Sequence, residues 1–231
     1  DRYIITEDVQ LQRTTEQRAL RCVVGDASAA LLVSLHADLP KLAFNHWVPI
    51  ERQPFQGQIR RLNWFQRIAF QISVPVESSI ALDDTLTQFG FQQGTAERYE
   101  AIRVTNRFPQ HGVDFSEENL VQEVDRNEQA VSFVKGCYLG QEPVARLDAL
   151  GHVNRILRKL VITAEDHERL QSLDAGALIG AELVSSEDGK SLGKITSAVR
   201  IPDENGGEIQ ILSIIRREFA DPGSKVNVHC Q

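Results

Sequence analysis

The sequence predicts an α+β protein whose character changes near residue 150. Two observations carry this. Up to about Leu150, short β-branched runs are interspersed with stretches of helical spacing, whereas after Gly151 five short strand-like runs follow one another across Gly/Asp/Asn/Ser turns. The first pattern is that of a mixed α+β domain over residues 1–150. The second is that of a small antiparallel sheet or barrel over residues 151–231.

In chain order, Tyr3-Ile4-Ile5 and Leu20-Arg21-Cys22-Val23-Val24 read as strands split by the polar stretch Gln12 to Gln17. Cys22, inside the second, is expected to be a buried core residue. Asp26 is a good N-cap for a helix over Ala27 to Leu39, stopped by Pro40. Trp47 to Ile50, Phe55 to Ile59 and Ile68 to Ile72 read as short strands. Arg60, Arg61 and Arg67 around Trp64 and Phe65 fit a solvated loop with two core aromatics better than a nucleic-acid grip, because nothing extends the basic patch. Ile80, Leu82, Leu86 and Phe89 fall at roughly helical spacing before Gly90, and a third helix follows at about Thr95 to Thr105. Residues 106–134 are loop-rich, the kind of long connection in which ligand contacts concentrate. Beyond Gly151, strands are expected over Arg155 to Thr163, Ala181 to Ser185, Leu192 to Ile201, Glu208 to Arg216 and Lys225 to His229.

Composition is that of an ordinary globular protein, 42% hydrophobic and 25% charged over 231 residues. The formal charge of −7 argues against broad electrostatic capture of nucleic acid. No apolar run is long enough to span a bilayer and no signal peptide opens the chain, and three widely spaced cysteines fit a reducing compartment, so the reading is cytoplasmic, with no membrane partner. No His-x-x-His or Cys-x-x-Cys pair suggests a metal site. Neither a phosphate loop nor a Gly-x-Ser-x-Gly elbow occurs. The chain lacks methionine and opens on Asp1-Arg2-Tyr3-Ile4-Ile5, which reads as the middle of a structured segment with residues expected in front.

Chemistry is densest in Lys135-Gly136-Cys137-Tyr138-Leu139-Gly140-Gln141-Glu142-Pro143-Val144-Ala145-Arg146. Pro143 suits the first turn of a helix running from Glu142 to about Leu150, capped by Gln141 or Glu142. Cys137 then sits just before a helix N-terminus, where partial positive charge and Lys135 favour a thiolate. A small apolar plug in a tight turn is the alternative role for that cysteine. Arg103, Lys135, Gln141, Glu142, Arg146 and Arg155 form a polar set suited to a ligand bearing carboxylates, with Tyr138 to stack or hydrogen-bond. Simple surface pairing, Glu142 with Arg146 at i,i+4, is the competing account.

The stretch Lys135-Gly136-Cys137-Tyr138-x-Gly140-Gln141-Glu142, followed by Val144-Ala145-Arg146, resembles the signature of the YgfZ-type folate-binding proteins, relatives of the glycine-cleavage T protein (aminomethyltransferase) that include mitochondrial iron-sulfur assembly factors. Tyr99 to Val104 resembles the family's helix before the signature. Pro109 and Asp114 fall where it has a proline and an aspartate, and Gly151 to Arg155 is similar to its step into the last domain. Leu192 to Pro202, with Arg216-Arg217-Glu218, looks like that domain's hairpin. The resemblance implies a T-protein-like folate-binding domain followed by a small antiparallel β-barrel, with three subdomains around a folate pocket and the family's opening segment absent. It implies tetrahydrofolate or a derivative as cofactor, and iron-sulfur client or assembly proteins as partners, tRNA-modifying enzymes among them. Arg103, Tyr138, Gln141, Glu142, Arg146 and Arg155 are the implied folate-binding residues, and Cys137 with Lys135 the candidates for chemistry. A tetrahydrofolate-dependent one-carbon transferase and a non-catalytic module with a decayed folate site are the alternatives. Two departures bear on the choice. Thr105 stands where the family often has an acidic residue able to pair with a pterin edge, and Arg107 stands where it has a glycine.

Overall fold

A computed structural model describes residues 8, 10–50, 56–65, 67–163, 171–202 and 207–229. The expected strand at Tyr3-Ile4-Ile5, Phe55 and the turn at residues 203–206 lie outside the described residues. The chain divides into two compact units, Asp1–Gln93 and Gly94–Gln231. The change of pattern at residue 151 falls within the second unit.

The first unit contains β1 (Arg18–Val24), α1 (Ser28–Leu32), β2 (Trp47–Pro49), β3 (Gln58–Leu62), β4 (Ala69–Pro75) and α2 (Ser79–Gln88). The strands make one antiparallel sheet in the order β1-β4-β3-β2. Alternation decides which side chains enter the core: Ala19 and Val23 of β1 lie opposite Val74 and Phe70 of β4, and all four are buried. The residues between them, Leu20 and Cys22, point to the other face and are exposed. Cys22 is therefore not the core residue expected, because its strand is buried on one face only. Leu82 and Leu86, four apart on α2, complete the core with Leu32, Leu35, Ile59 and Ile72. Ile80 shares the helical spacing but is 74% exposed. The helix predicted from Ala27 stops at Leu32, and the chain continues through turns to a short 3-10 turn at Leu39–Lys41.

The end of α2 shows why Gly90 is needed. Gly90 N–H donates to the Thr87 carbonyl and Phe91 N–H to the Leu86 carbonyl, a Schellman closure with Gly90 in the left-handed region at φ 87°.

The second unit contains α3 (Ala96–Thr105), α4 (Asn127–Ala130), α5 (Gln141–Leu150), β5 (Arg155–Ile162), β6 (Glu182–Ser185), β7 (Ser191–Lys194), β8 (Ser197–Ile201), β9 (Glu208–Arg216) and β10 (Val226–His229). Its strands form two antiparallel three-stranded sheets, β5-β9-β8 and β10-β6-β7. The single strand expected over Leu192 to Ile201 is broken in two. Ile195 N–H turns to the Ala181 carbonyl and Thr196 N–H to the Leu212 carbonyl, so β7 and β8 join different sheets. One core, including Ile156, Leu183, Leu192, Ile209, Ile211 and Ile215, draws on both sheets. β9 supplies the other face as well: Leu212 and Ile214 pack with Leu157 of β5 around Val104 of α3, which is fully buried. Burial of a side chain of that size stabilises by about 1.5–3 kcal/mol. Among the described residues, no helix is long and apolar enough to cross a membrane.

Candidate functional site

The dense stretch from Lys135 to Arg146 forms a surface loop that runs into α5. Gly140 is the N-cap, with φ 87°, so the helix starts one residue earlier than the proline suggests and Pro143 sits in its first turn, where a missing N–H leaves no bond unmade. A loop bond from Gln141 N–H to the Tyr138 carbonyl, 3.2 Å, precedes it. Lys135 Nζ lies 4.3 Å from the centre of the Tyr138 ring, and Lys135 N–H donates to Ser132 Oγ. Lys135, Cys137, Glu142 and Arg146 are exposed, and Tyr138 and Gln141 half-buried. Val134 and Leu139, flanking the thiol, are 97% and 95% exposed. The loop thus presents a cation, an aromatic ring, an amide, a carboxylate, a thiol and two aliphatic side chains to the same solvent. The short 3-10 helix at Val121–Val124 ties α5 in place, Gln122 Nε2 donating to the Val144 carbonyl at 3.0 Å.

Arg103 is used differently. It is 1% exposed, on the buried face of α3. Nη1 donates to Asp114 Oδ2 at 2.7 Å, Nε and Nη2 grip the Glu100 carboxylate, and Nη2 also donates to Ser197 Oγ. Asp114 also accepts from Gln110 N–H, Thr196 Oγ1 and Ser197 Oγ. Burial alone would lower the Arg103 pKa; the bonds to Glu100 and the charge of Asp114 outweigh it and raise the pKa, so the guanidinium stays charged. Its donors are spent on the protein's own carboxylates. Arg155, at the start of β5, is exposed opposite Arg216 of β9.

Asp114, Glu100, Thr196 and Ser197 complete this cluster, and sequence reasoning gave them no role of this kind. The one legible signal is the i,i+3 spacing of Glu100 and Arg103 on α3. Among the described residues, no three His, Cys, Asp or Glu side chains converge as a metal-ligand set.

The chain is 27% identical over 215 residues to the tRNA-modifying protein YgfZ of Escherichia fergusonii, a match covering 90% of this chain and 59% of the relative. It is 27% identical over 214 residues to the protein of the same name from Escherichia coli O127:H6, with the same coverage. Its fold matches a crystal structure of the glycine cleavage system aminomethyltransferase T from Bartonella henselae, with a TM-score of 0.65 and 17% identity, over 93% of this chain and 56% of that one. The chain is similar in sequence to YgfZ-type proteins and in fold to the glycine cleavage T protein. The family resemblance carried by the Lys135 to Arg146 stretch is thus borne out across most of the chain. No family model matches it. The chain spans about three-fifths of the length of the curated YgfZ relatives it matches.

Proposed function

We propose that this chain is a folate-binding accessory protein supporting the maturation or repair of iron-sulfur enzymes, tRNA-modifying ones among them. The observation that carries the reading is the grouping of exposed Lys135, Glu142 and Arg146 with half-buried Tyr138 and Gln141 along the loop that runs into α5, in a chain similar over 90% of its length to a protein named as tRNA-modifying. Those groups fit a ligand with an aromatic ring and a carboxylate-bearing tail. Tyr138 offers a face for stacking, Arg146 a planar fork for a carboxylate, and Gln141 an amide that both donates and accepts. Tetrahydrofolate, when bound, supplies a carrier for a one-carbon unit. Cys137 brings an accessible thiol to the same loop, and Lys135, held over the Tyr138 ring, brings a cation to it.

The test is binding of tetrahydrofolate by calorimetry and by thermal shift, where stabilisation must grow with ligand concentration. Arg146→Ala is expected to weaken binding about tenfold, the loss of one charge-assisted pair. No binding above background overturns the folate half of the reading. Cys137→Ala is expected to fold normally and to fail in restoring iron-sulfur enzyme activity to cells lacking the protein. Full complementation by that variant removes the thiol from the mechanism.

A second reading, partner capture without a folate, is favoured by Arg103, whose donors go to Glu100, Asp114 and Ser197, and by Thr105 in place of an acidic residue. Under it, a client protein is retained equally with and without tetrahydrofolate. Formation of methylenetetrahydrofolate from an aminomethylated carrier protein would establish one-carbon transfer instead.

A further inference from the structure

The helix α3 closes as α2 does, with one difference. Arg107 N–H donates to the Val104 carbonyl at 3.0 Å and Phe108 N–H to the Arg103 carbonyl at 2.7 Å, the same Schellman pattern that Gly90 and Phe91 make on α2. The position Gly90 fills on α2 is filled on α3 by Arg107, at φ 51°. A side chain there crowds the following carbonyl, and glycine relieves it. A strained arginine in place of the residue that fits is an outlier that asks for a use.

Its side chain reaches a second left-handed residue. Asp125, at φ 55°, ends the 3-10 helix that ties down α5. Asp125 Oδ2 receives both Arg107 Nη1, at 3.0 Å, and Arg158 Nη1, at 2.8 Å. Two guanidiniums share one carboxylate oxygen, which leaves a positive charge over within the pair. Arg107 is 42% and Arg158 26% exposed, so the cluster is open to solvent. Arg126 follows Asp125 in the chain and stacks over the Phe108 ring at 5.0 Å. Burial, and after it repulsion from Arg107, lowers the pKa of Arg126.

We propose that Arg107 and Arg158 form a binding site for the phosphate group of a small-molecule ligand, separate from the Lys135 to Arg146 loop, with Asp125 occupying it when the ligand is absent. Guanidinium groups suit the phosphate geometry; Arg158 also donates from Nε to the Ala220 carbonyl and from Nη1 to the Leu157 carbonyl, which fixes it in place, while Arg107 is the more exposed of the two. A phosphate monoester carries about −1.5 to −2 charges at neutral pH, more than a carboxylate can bring to a cluster of surplus positive charge. The site does not depend on the folate reading, and its test uses no folate.

The experiment is a titration of the full chain with inorganic phosphate, 5′-AMP and acetate, each balanced with sodium chloride to constant ionic strength, read by calorimetry and thermal shift. Phosphate is expected to raise the melting temperature beyond chloride. Arg107→Gly is expected to weaken phosphate binding at least about tenfold, as loss of a charge-assisted fork does, while melting at the same or a higher temperature in phosphate-free buffer. Asp125→Asn, which keeps a residue tolerant of the left-handed region, is expected to bind phosphate more tightly because the internal competitor is gone. Tighter binding of 5′-AMP assigns the phosphate to a nucleotide and equal binding to a free phosphate; either ranking supports the site. Four results overturn it: no shift beyond chloride, acetate matching phosphate, Arg107→Gly binding as the parent does or melting lower without phosphate, or Asp125→Asn binding more weakly.

Discussion

Arg103 donates to Asp114 across 2.7 Å with their side chains only 2% and 0% exposed, so this ion pair is made almost entirely out of water. Arg103→Met strands the buried Asp114 carboxylate, and about 3–5 kcal/mol of stability is expected to be lost by urea unfolding; Asp114→Asn, which leaves Arg103 paired with Glu100, is expected to lose less. The double variant should lose less than the sum, since neither charge is left alone. Glu100, with its side chain 37% exposed, rehydrates easily, and Glu100→Gln is expected to lose under about 1 kcal/mol.

The pair between Arg21 of β1 and Asp83 of α2, at 2.7 Å, lies in contrast on the surface. The hydrogen bond from Arg21 lowers the Asp83 pKa despite partial desolvation. A carboxylate whose folded pKa is depressed stabilises above its unfolded pKa, and the contribution fades as pH falls through the folded value. Asp83→Asn is therefore expected to lose about 0.5 kcal/mol near neutrality, a typical value for an exposed pair. In strong acid it should match the parent. Denaturant midpoints across an acid series check both limits.

The two described cysteines should separate on alkylation. Cys22 reaches solvent from the outer face of β1, but desolvation pushes its thiol up to about 11, so it stays protonated through the neutral range. Because the thiolate is the nucleophile, iodoacetamide at neutral pH is expected to modify Cys137 on its exposed loop first. Labelling of Cys22 should rise only as pH approaches 11. Peptide mass spectrometry over a time course reads the order.

Gly193 of β7 passes close to β9. A Cβ there would meet the Ile214 carbonyl oxygen at 2.5 Å and Ser213 Oγ at 3.0 Å, at the point where Ser213 Oγ donates to the Lys194 carbonyl. Gly193→Ala is expected to force the strands apart and to lose about 1–3 kcal/mol, measured by thermal or urea unfolding.

Much of the architecture was legible because periodicity reports burial directly. The limits of β9 match the expectation, and those of α3, β5, β6 and β10 fall within a residue of it. What escaped reading depended on partners distant in sequence. The break between β7 and β8 comes from Thr196 bonding to Leu212, and Cys22 is exposed because its strand has only one buried face. The dense loop at Lys135 to Arg146 was found because its residue types are unusual together, independent of fold. The role of Arg103 was not, since guanidinium chemistry is the same whether it meets a ligand or the buried Asp114. Arg107 stood out as a non-glycine, but only backbone angles reveal that it occupies the left-handed position of a helix closure.

The cluster around Arg103 also bears on the order in which the chain assembles. Asp114 is bonded to Ser197 across 83 intervening steps of chain, and Arg103 to the same serine across 94. During synthesis α3 leaves the ribosome long before β8 exists. Until then its guanidinium and the Asp114 carboxylate have only Glu100, Gln110 and water to satisfy them, and seating this helix face must wait for the last strands. A nascent chain halted between the two partners would hold the hydrophobic Val104 and the charged Arg103 both exposed, a natural mark for quality-control proteases to read.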